Sequence, residues 1–320
     1  MMEFSGFDIP ALAVVGPTAS GKSALGVWMA EQGFPIEIIS LDSALVFRDM
    51  NIGTAKPSPN ELALVPHHLI DIISPESVFS AADFLTASAH LIPDIRARGK
   101  VPVILGGTMM YYNSLVHGMD ALPPANAAIR AEIETQATEQ GWPAIHARLQ
   151  AIDPTAAARL KPNDSQRLQR ALEVYLLTGK PLSSFHQRAT HTALRLPTLS
   201  VEPSDRGVLH RRIETRFNAM LKNGLIDEVM ALRRQYVLTP ELPSMRCVGY
   251  RQVLDYLEGH INYQTLFDKG LAATRQLAKR QITWLRSTPH KMVVDSLQHD
   301  WMQQAARPWL EHVLEQLQPK

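Results

Sequence analysis

The segment GPTASGKS, at residues 16–23, has the spacing G-x-x-x-x-G-K-S and directly follows the apolar run ALAVV. In such a loop, glycines let backbone N–H groups converge on phosphate oxygens, and the N-terminus of the next helix adds partial positive charge. Lys22 can neutralise phosphate charge, and Ser23 can offer a hydroxyl to Mg²⁺. The segment therefore predicts a phosphate-binding loop between a buried strand and a helix.

The first third of the sequence alternates short apolar runs with helix-like stretches. The runs ALAVV, IEIISLD, HHLIDII and VPVILGG predict strands, and SALGVWMAEQ and AADFLTASAHLIPDIRARG predict helices between them. Short apolar strands separated by helices are typical of a parallel sheet that is covered on both faces. The sequence therefore predicts an α/β fold with a doubly wound parallel sheet, like that of P-loop nucleoside triphosphatases.

The pattern changes near residue 119, where strand signals stop. Between residues 119 and 194, breaks at PP, GWP, DP and PND delimit about four short helices, each with a start signal. The run LRLPTLSVEP then restores a strand signal, and long amphipathic helices follow, such as YQTLFDKGLAATRQLAKRQITWLRS. We therefore predict a core made of residues 1–118 and 195–320, interrupted by a helical insertion at residues 119–194.

Composition excludes several classes of protein. The chain has 320 residues, 45% of them hydrophobic, and a net charge of +1. Its single cysteine, Cys247, excludes an intrachain disulfide or a cysteine-built metal site. No apolar run reaches the roughly 18 residues that a membrane helix needs, and the first ten residues lack the features of a signal peptide. We expect a soluble, monomeric, cytoplasmic protein that does not bind membranes.

Positive charge is concentrated in the last third of the chain. Residues 201–290 hold 14 Lys and Arg against 9 Asp and Glu, although the whole chain is nearly neutral. A bias of this size is expected of a solvated helical surface and equally of a surface that meets an acidic partner. The sequence leaves these two interpretations open.

A carboxylate and a hydroxyl follow two of the predicted strands. Asp42 ends the strand IEIISLD, and VPVILGG runs into Thr108 without the acidic residue that many nucleoside triphosphatases place there for Mg²⁺. In an open parallel sheet, ligands lie beyond the carboxyl ends of the strands. Asp42, Thr108 and the phosphate-binding loop should therefore share one crevice. That crevice suits phosphoryl transfer with Asp42 as the base, or attack on carbon with diphosphate as the leaving group.

Several stretches resemble the bacterial tRNA dimethylallyltransferases, the IPP transferase family, in order and spacing. They are GPTASGKS, SLDSALVFRDMNIGTAKP, HHLIDI, VILGGTMMYYNSL, PNDSQRLQRALEVY, SMRCVGYRQ and ATRQLAKRQITWLR. The resemblance covers about residues 11–288. It implies transfer of a dimethylallyl group from its diphosphate to the exocyclic N6 amine of the adenine 3′ to the anticodon. It also implies Mg²⁺ as cofactor, the tRNA anticodon stem-loop as partner, and diphosphate rather than ATP in the loop.

The resemblance assigns roles to individual residues. It makes Asp42 the general base, places Thr108 at the reaction centre and gives Ser23 to Mg²⁺. The residues expected to bind diphosphate are Gly16, Pro17, Thr18, Ala19, Ser20, Gly21, Lys22, Ser23 and Arg216. Those expected to contact tRNA are Asp42, Ser43, Ala44, Leu45, Thr108, Arg130, Gln166, Arg167, Leu168, Gln169, Arg170, Arg246, Cys247, Val248, Gly249, Tyr250 and Arg251.

The sequence also departs from the family pattern. Ala44 and Leu45 stand where many relatives have Gln-Val, which weakens side-chain hydrogen bonding to RNA there, and Phe47 replaces a frequent Tyr. Three other functions remain open at this point: a small-molecule P-loop kinase, transfer of the prenyl group to a free adenine nucleotide, and RNA binding without catalysis. A kinase leaves SMRCVGYRQ and the insertion unexplained, and a nucleotide prenyltransferase needs no clamp for an anticodon arm.

Overall fold

The computed structural model of the protein describes residues 10–120, 122–185 and 194–317. The chain divides into two compact units, one formed by Met1–Val116 with Leu194–Lys320 and the other by His117–Ala193. In the described ranges, none of the helices combines the length and apolar character needed to cross a bilayer. Two interpretations fall outside the described residues: the lack of a signal peptide at residues 1–9 and the end of the predicted insertion at residues 186–193.

The first unit contains a sheet of six strands, all paired in parallel. The strands are β1 (Leu12–Val15), β2 (Ile36–Leu41), β3 (His67–His68), β4 (Val101–Gly106), β5 (Thr198–Val201) and β6 (Lys291–Val294). Their order across the sheet is β3-β2-β4-β1-β5-β6. The strand order therefore reverses at β1, and such a reversal opens a crevice at the carboxyl ends of the strands, where ligands bind.

The α-helices in the described part of the chain follow one another in a fixed order. They are α1 (Lys22–Glu31), α2 (Pro59–Leu64), α3 (Ala81–Ala97), α4 (Met109–His117), α5 (Ala127–Gln140), α6 (Trp142–Ile152), α7 (Pro154–Ala157), α8 (Ser165–Thr178), α9 (Arg206–Lys222), α10 (Leu225–Gln235), α11 (Tyr250–Leu257), α12 (Tyr263–Ser287) and α13 (Arg307–Leu317). A 3₁₀ turn at Leu182–Phe185 follows α8, and a π-helical turn at Met302–Ala306 precedes α13.

Helices bury both faces of the sheet. On one face, Leu25 of α1 and Leu310 of α13 pack with residues of β1 and β4. On the other face, Phe84 of α3 and Tyr111 of α4 do the same, and their rings stack at 4.7 Å. A third apolar cluster joins α9, α10, α11 and α12 to the segment after β2, around the buried Phe47. Strands β1 and β4 are buried and apolar on both sides because both faces of the sheet are covered at its centre.

The second unit is helical. Helices α5, α6 and α8 pack around a small apolar core that includes Ile133, Leu149 and Leu168. Side-chain oxygens of Asn126 and Asp153 accept backbone N–H groups at the starts of α5 and α7, which satisfies donors that a helix N-terminus would otherwise leave free. Proline at the first turns of α6 and α7 agrees with the predicted breaks.

The predicted doubly wound parallel sheet is confirmed. The run HHLIDII forms a strand only at His67–His68, because Leu69 and Asp71 adopt left-handed φ values of 63° and 56° and end the extended backbone. The sequence interpretation also missed α2, α4 and α11. Each is short, and each directly follows a loop whose glycine or proline signals favoured a turn.

Candidate active site

The phosphate-binding loop lies between the end of β1 and the start of α1. Gly21 has a left-handed φ of 101°, and α1 begins after it without a side-chain cap, so the first N–H groups of the helix remain available. A Cβ on Gly16 would lie 2.6 Å from the Val201 carbonyl oxygen, so this position tolerates only glycine. The buried hydroxyl of Ser20 has no hydrogen-bond partner among the described residues. The loop thus presents unpaired donors, as an anion site requires.

Two cations and one carboxylate set the electrostatics beside this loop. Lys22 Nζ donates to the Pro17 carbonyl at 3.2 Å. Burial lowers the pKa of Lys22 to about 8; the Asp42 carboxylate opposes this change and the Arg216 guanidinium adds to it. Burial also lowers the pKa of Arg216, again against the attraction of Asp42. Two partly desolvated cations that repel each other would be stabilised by an anion placed between them.

Asp42 and Thr108 are held together at the ends of β2 and β4. Asp42 Oδ1 accepts the Ala44 N–H at 2.9 Å. Thr108 Oγ1 accepts the Ser43 N–H at 3.0 Å and donates to Ser43 Oγ at 3.3 Å. The Leu41 carbonyl accepts the N–H of Thr108 at 3.0 Å. These bonds join the ends of β2 and β4 and place Asp42 beside Thr108.

Gln281 connects this edge to the phosphate-binding loop. Its Oε1 accepts the Thr18 N–H at 2.8 Å, and its Nε2 donates to the Gly107 carbonyl at 2.9 Å. A Cβ on Gly107 would lie 2.5 Å from Nε2, so a glycine is required for this approach. The sequence analysis did not single out Gln281, although it lies in the stretch RQLAKRQITWLR, because a contact across 263 positions has no local signature.

A cavity of about 480 Å³ opens between these elements, all of them in the first unit. The predicted site residues that line it are Thr18, Ala19, Asp42, Ser43, Ala44, Thr108, Arg216, Arg246, Cys247 and Val248. Exposed apolar side chains of Met110 and Trp284 also line it, together with Arg280. Predicted residues of the first unit that do not line it are Gly16, Pro17, Ser20, Gly21, Lys22, Ser23, Leu45, Gly249, Tyr250 and Arg251.

Within residues 246–251, the two arginines at the ends differ in solvent exposure from Tyr250. Arg246 and Arg251 are exposed, whereas Tyr250 is fully buried. Burial raises the pKa of the Cys247 thiol to about 12, and the nearby Asp42 carboxylate acts in the same direction. The thiol is therefore neutral at physiological pH. Any contact of Tyr250 with an RNA would have to use its backbone, since its side chain belongs to the core.

Glu228 of α10 organises the start of the IGTAKP segment. Its carboxylate accepts the N–H groups of Asn51 at 2.9 Å, Ile52 at 2.7 Å and Gly53 at 3.3 Å, and the Tyr250 hydroxyl at 2.5 Å. Three consecutive backbone N–H groups around one carboxylate form an anion-binding concavity. The sequence analysis noted IGTAKP but found no role for it. The structure shows that this segment is bound by an acidic side chain 175 positions away.

Because Glu228 holds the loop at residues 51–53, it also positions part of the cavity wall. Gly53 and Thr54 line the cavity, and a Cβ on Gly53 would lie 2.4 Å from the Tyr250 ring. Only glycine therefore allows the loop to sit against α11. The same carboxylate thus holds both the loop and Tyr250, at the start of the helix that follows Arg246 and Cys247.

We predict that Glu228→Gln weakens the attachment of residues 51–53 and makes their backbone more mobile. The neutral amide presents an N–H₂ group to backbone donors, and hydrogen bonds to a charged acceptor contribute about 1.5–3 kcal/mol. Hydrogen exchange of the amides at residues 51–53 should accelerate by roughly 10- to 100-fold. Glu61→Gln, which alters a capping box at α2, is the matched control. Equal protection of residues 51–53 in both variants would show that Glu228 does not hold the loop.

Two of the predicted site residues of the second unit, Arg130 and Arg170, share one acidic partner. The fully buried carboxylate of Glu173 accepts from Arg130 Nε at 2.8 Å and from Arg170 Nη1 at 2.7 Å. Arg167 pairs with Asp164 at 2.7 Å, and its side chain is 73% exposed.

The uncharged predicted residues of α8 differ in exposure. Leu168 is buried in the helical core, so its side chain is not available to a ligand. Gln169 Nε2 donates to Glu134 Oε1 at 2.8 Å. Gln166 is exposed on the same helix.

The polar side chains near the phosphate-binding loop are compatible with a Mg²⁺ ion that enters the site bound to the phosphates of a substrate. Among the described residues, no group of three or more His, Cys, Asp or Glu side chains could hold a metal. Mg²⁺ commonly binds through one or two carboxylates, substrate phosphates and waters. The sequence predicts the Ser23 hydroxyl as a ligand of such an ion. The fold and site together define a class: an α/β enzyme in which an anion-binding loop, Arg216 and the Asp42 carboxylate border one cavity.

Comparison with known proteins identifies the family within that class. A model of the IPP transferase family matches residues 45–288. The tRNA dimethylallyltransferase of Ralstonia nicotianae is 56% identical over 307 residues, which is 93% of this chain and 94% of the relative. The chain belongs to the IPP transferase family, as the sequence resemblance predicted.

Solved structures agree with this membership. The full-length tRNA isopentenylpyrophosphate transferase from Bacillus halodurans is 35% identical, with a TM-score of 0.70 over 97% of this chain and 98% of that one. A eukaryotic dimethylallyltransferase acting on tRNA is 25% identical, with a TM-score of 0.80 over 97% of this chain and 80% of that one. The same fold therefore occurs in bacterial and eukaryotic members.

Proposed function

We propose that this chain transfers a dimethylallyl group from dimethylallyl diphosphate to the N6 amine of the adenine 3′-adjacent to the anticodon of tRNA, releasing diphosphate. The observation that carries the proposal is one cavity bordered by Thr18 and Ala19 of the anion-binding loop, by Arg216, and by Asp42 with Thr108. Diphosphate and an amine can meet there. Family membership and the names of the relatives support this choice over phosphoryl transfer.

The diphosphate end of the reaction depends on charge. The bond between C1 of the dimethylallyl group and the diphosphate oxygen breaks, and its electron pair leaves with the diphosphate. Lys22, Arg216 and the loop amides stabilise the negative charge that develops there. Mg²⁺ would be held by diphosphate oxygens together with Ser23, and when bound it would neutralise part of the same charge. The unpaired Ser20 hydroxyl is a further donor within the loop.

The acceptor end depends on Asp42. The lone pair of the adenine N6 forms the new C–N bond, and the surplus proton leaves the nitrogen. Asp42 Oδ1 is engaged by the Ala44 N–H, which fixes the carboxylate and leaves Oδ2 for that proton. Thr108, bonded to Ser43, is rigid enough to orient the base. The adenine must leave its stack to enter the cavity, and the exposed Trp284 at the lining offers it an aromatic surface.

Incubation with labelled dimethylallyl diphosphate and bulk unmodified tRNA tests the proposal directly. We expect label to enter tRNA in a Mg²⁺-dependent reaction, with little labelling of free AMP. Calorimetry should show that dimethylallyl diphosphate binds more tightly than ATP. ATP binding with hydrolysis, and no response to dimethylallyl diphosphate, would restore the kinase hypothesis. Labelling of AMP in preference to tRNA would instead favour a nucleotide prenyltransferase.

We also propose that residues 119–194 add affinity for the anticodon arm without taking part in the chemistry, and that the protein acts as a cytoplasmic monomer. The exposed Arg167 supports the first part, since a guanidinium on a helix surface suits RNA phosphates. Arg130 and Arg170 are already paired with Glu173, so their contribution to RNA binding would be partly structural.

We predict that Arg167→Gln weakens tRNA binding and reduces its salt dependence, because each lost phosphate contact lowers the log–log salt slope by about 0.7–0.9. Arg170 is a poor probe, since its removal takes one of two guanidinium partners from the buried Glu173 and would disturb the fold of this unit. The exposed Arg159, in the same unit, gives the control variant Arg159→Gln. Filter binding at several salt concentrations measures the slope. Equal slopes for the two variants would remove Arg167 from the RNA contacts.

A further inference from the structure

A second cavity, of about 340 Å³, lies between α9 and α12 of the first unit. Its floor is apolar and includes Leu209, Ala278 and Ile282. Four cationic side chains and a histidine line it: Arg206, Arg275, Lys279, Arg286 and His210. Four of the 14 Lys and Arg of residues 201–290 therefore line one concave site.

Acidic side chains are absent from the lining residues of this cavity. One carboxylate, Glu214, reaches Arg275 Nη2 at 3.2 Å. The Nε of Arg275 is buried and has no hydrogen-bond partner in the described part of the chain. If the Arg275 guanidinium turned toward an incoming anion, it would lose only its ion pair with Glu214. Cations brought together with so little compensation favour an anionic ligand.

The shape of the cluster favours an extended anion. Arg275, Lys279 and Arg286 follow one side of α12, and the rise of an α-helix separates the first from the last by about 16 Å. A lone diphosphate is too short to meet all of them. The other side of the same helix contributes Arg280, Gln281 and Trp284 to the first cavity. Since an α-helix with its side chains is about 10–12 Å across, one RNA strand can reach both cavities.

We propose that this second cavity binds the sugar–phosphate backbone of the RNA whose base enters the first cavity. The proposal rests on the function proposed above. Phosphate oxygens would accept from Arg206, Arg275 and Lys279, while the apolar floor lies against the sugars. The site supplies affinity without base specificity, because phosphate contacts carry no sequence information.

The test uses the full chain with the double substitution Arg206→Gln and Lys279→Gln, since both side chains are exposed and form no ion pair with the described residues. Lys269→Gln with Arg234→Gln removes the same charge from exposed positions outside both cavities and is the control. Filter binding of unmodified tRNA should become weaker on the order of tenfold at moderate salt, with a salt slope lower by about 1.4–1.8. The control should change neither value by a comparable amount.

A calorimetric titration with inorganic diphosphate and with dimethylallyl diphosphate forms the second arm. Both should bind the double variant as they bind the wild type. Loss of diphosphate binding with unchanged tRNA binding would reassign the cavity to the small substrate. This outcome has a structural basis, because Ala19 of the phosphate-binding loop packs in the same apolar cluster as Leu209 and Ala278. Unchanged binding of both ligands would show a solvated helix face, and either result overturns the proposal. These binding measurements do not depend on catalysis. A wild-type chain that binds tRNA but fails to transfer the prenyl group would therefore count against the proposed function and leave the test of this cavity intact.

Discussion

Asp42→Asn should lower the single-turnover rate of prenyl transfer on the order of 10²- to 10⁴-fold, the usual loss when a general base is removed. The asparagine oxygen can still accept the Ala44 N–H, which Asp42 Oδ1 accepts at 2.9 Å, so the turn after β2 should persist. What disappears is the proton acceptor and one negative charge near Lys22 and Arg216. Rapid-quench measurement with saturating tRNA and dimethylallyl diphosphate isolates the chemical step.

Binding measurements give this prediction its second half. Affinity for tRNA should be nearly unchanged, and affinity for diphosphate should rise slightly, because a like charge leaves the anion site. Asp83→Asn alters a capping box at α3 and controls for the loss of a carboxylate elsewhere. A rate within about threefold of wild type would exclude Asp42 as the base and leave solvent or diphosphate as the acceptor. Loss of tRNA binding would move Asp42 from catalysis to base recognition.

Lys22→Met should lower the transfer rate on the order of 10²- to 10³-fold, comparable to the loss of one donor that stabilises developing negative charge. The same variant should bind dimethylallyl diphosphate more weakly. Lys22 lies at the first position of α1 and donates to the Pro17 carbonyl at 3.2 Å. An anion in the loop would take over this donor. In the free enzyme the ammonium is therefore already held at the loop by this bond.

The pH dependence of diphosphate binding has a definite sign. In the free protein the pKa of Lys22 is lowered to about 8 by burial, and a bound anion raises it again. The complex therefore holds the proton more tightly, so binding takes up a proton and affinity falls as pH rises above 8, by up to about tenfold per pH unit. The ligand for this measurement is dimethylallyl diphosphate, because its terminal phosphate, like that of a phosphate ester, has lost its last proton at about pH 6, below this range.

Calorimetry in buffers of different ionisation enthalpy measures the proton uptake. Lys22→Met is the matched control, because it removes the titrating group while leaving Arg216 and the loop amides in place. Its weaker binding should be flat between pH 8 and pH 9.5. A wild-type affinity that stays constant over the same range would show that Lys22 remains fully charged in the free protein and that its burial has no effect on binding.

Local patterns were sufficient to predict most of the sheet and the loop. The apolar run ALAVV, the glycines of residues 16–23 and the carboxylate after IEIISLD act through their own neighbours in sequence, so spacing alone placed them at one crevice. The breaks at proline and glycine between residues 119 and 194 predicted the short helices α5–α8 for the same reason.

The parts that escaped prediction depend on distant contacts. Gln281 bonds Thr18 across 263 positions, and Glu228 bonds residues 51–53 across 175–177 positions. No periodicity or turn rule reports such a pair. The cavity between α9 and α12 was visible in sequence only as a regional charge bias, since its residues converge through the packing of two helices. The buried pairing of Arg130 with Glu173 was missed on the same grounds.

The link from Thr18 through Gln281 to Gly107 has a consequence for the order in which the protein matures on the ribosome. β1 and the phosphate-binding loop are synthesised early, but β5 and Gln281 are synthesised long after them. A nascent chain that ends before residue 281 lacks the brace for Thr18 and one wall of the cavity. Newly made enzyme therefore cannot assemble a complete diphosphate site during most of its translation, and competence arises only as the last helices emerge.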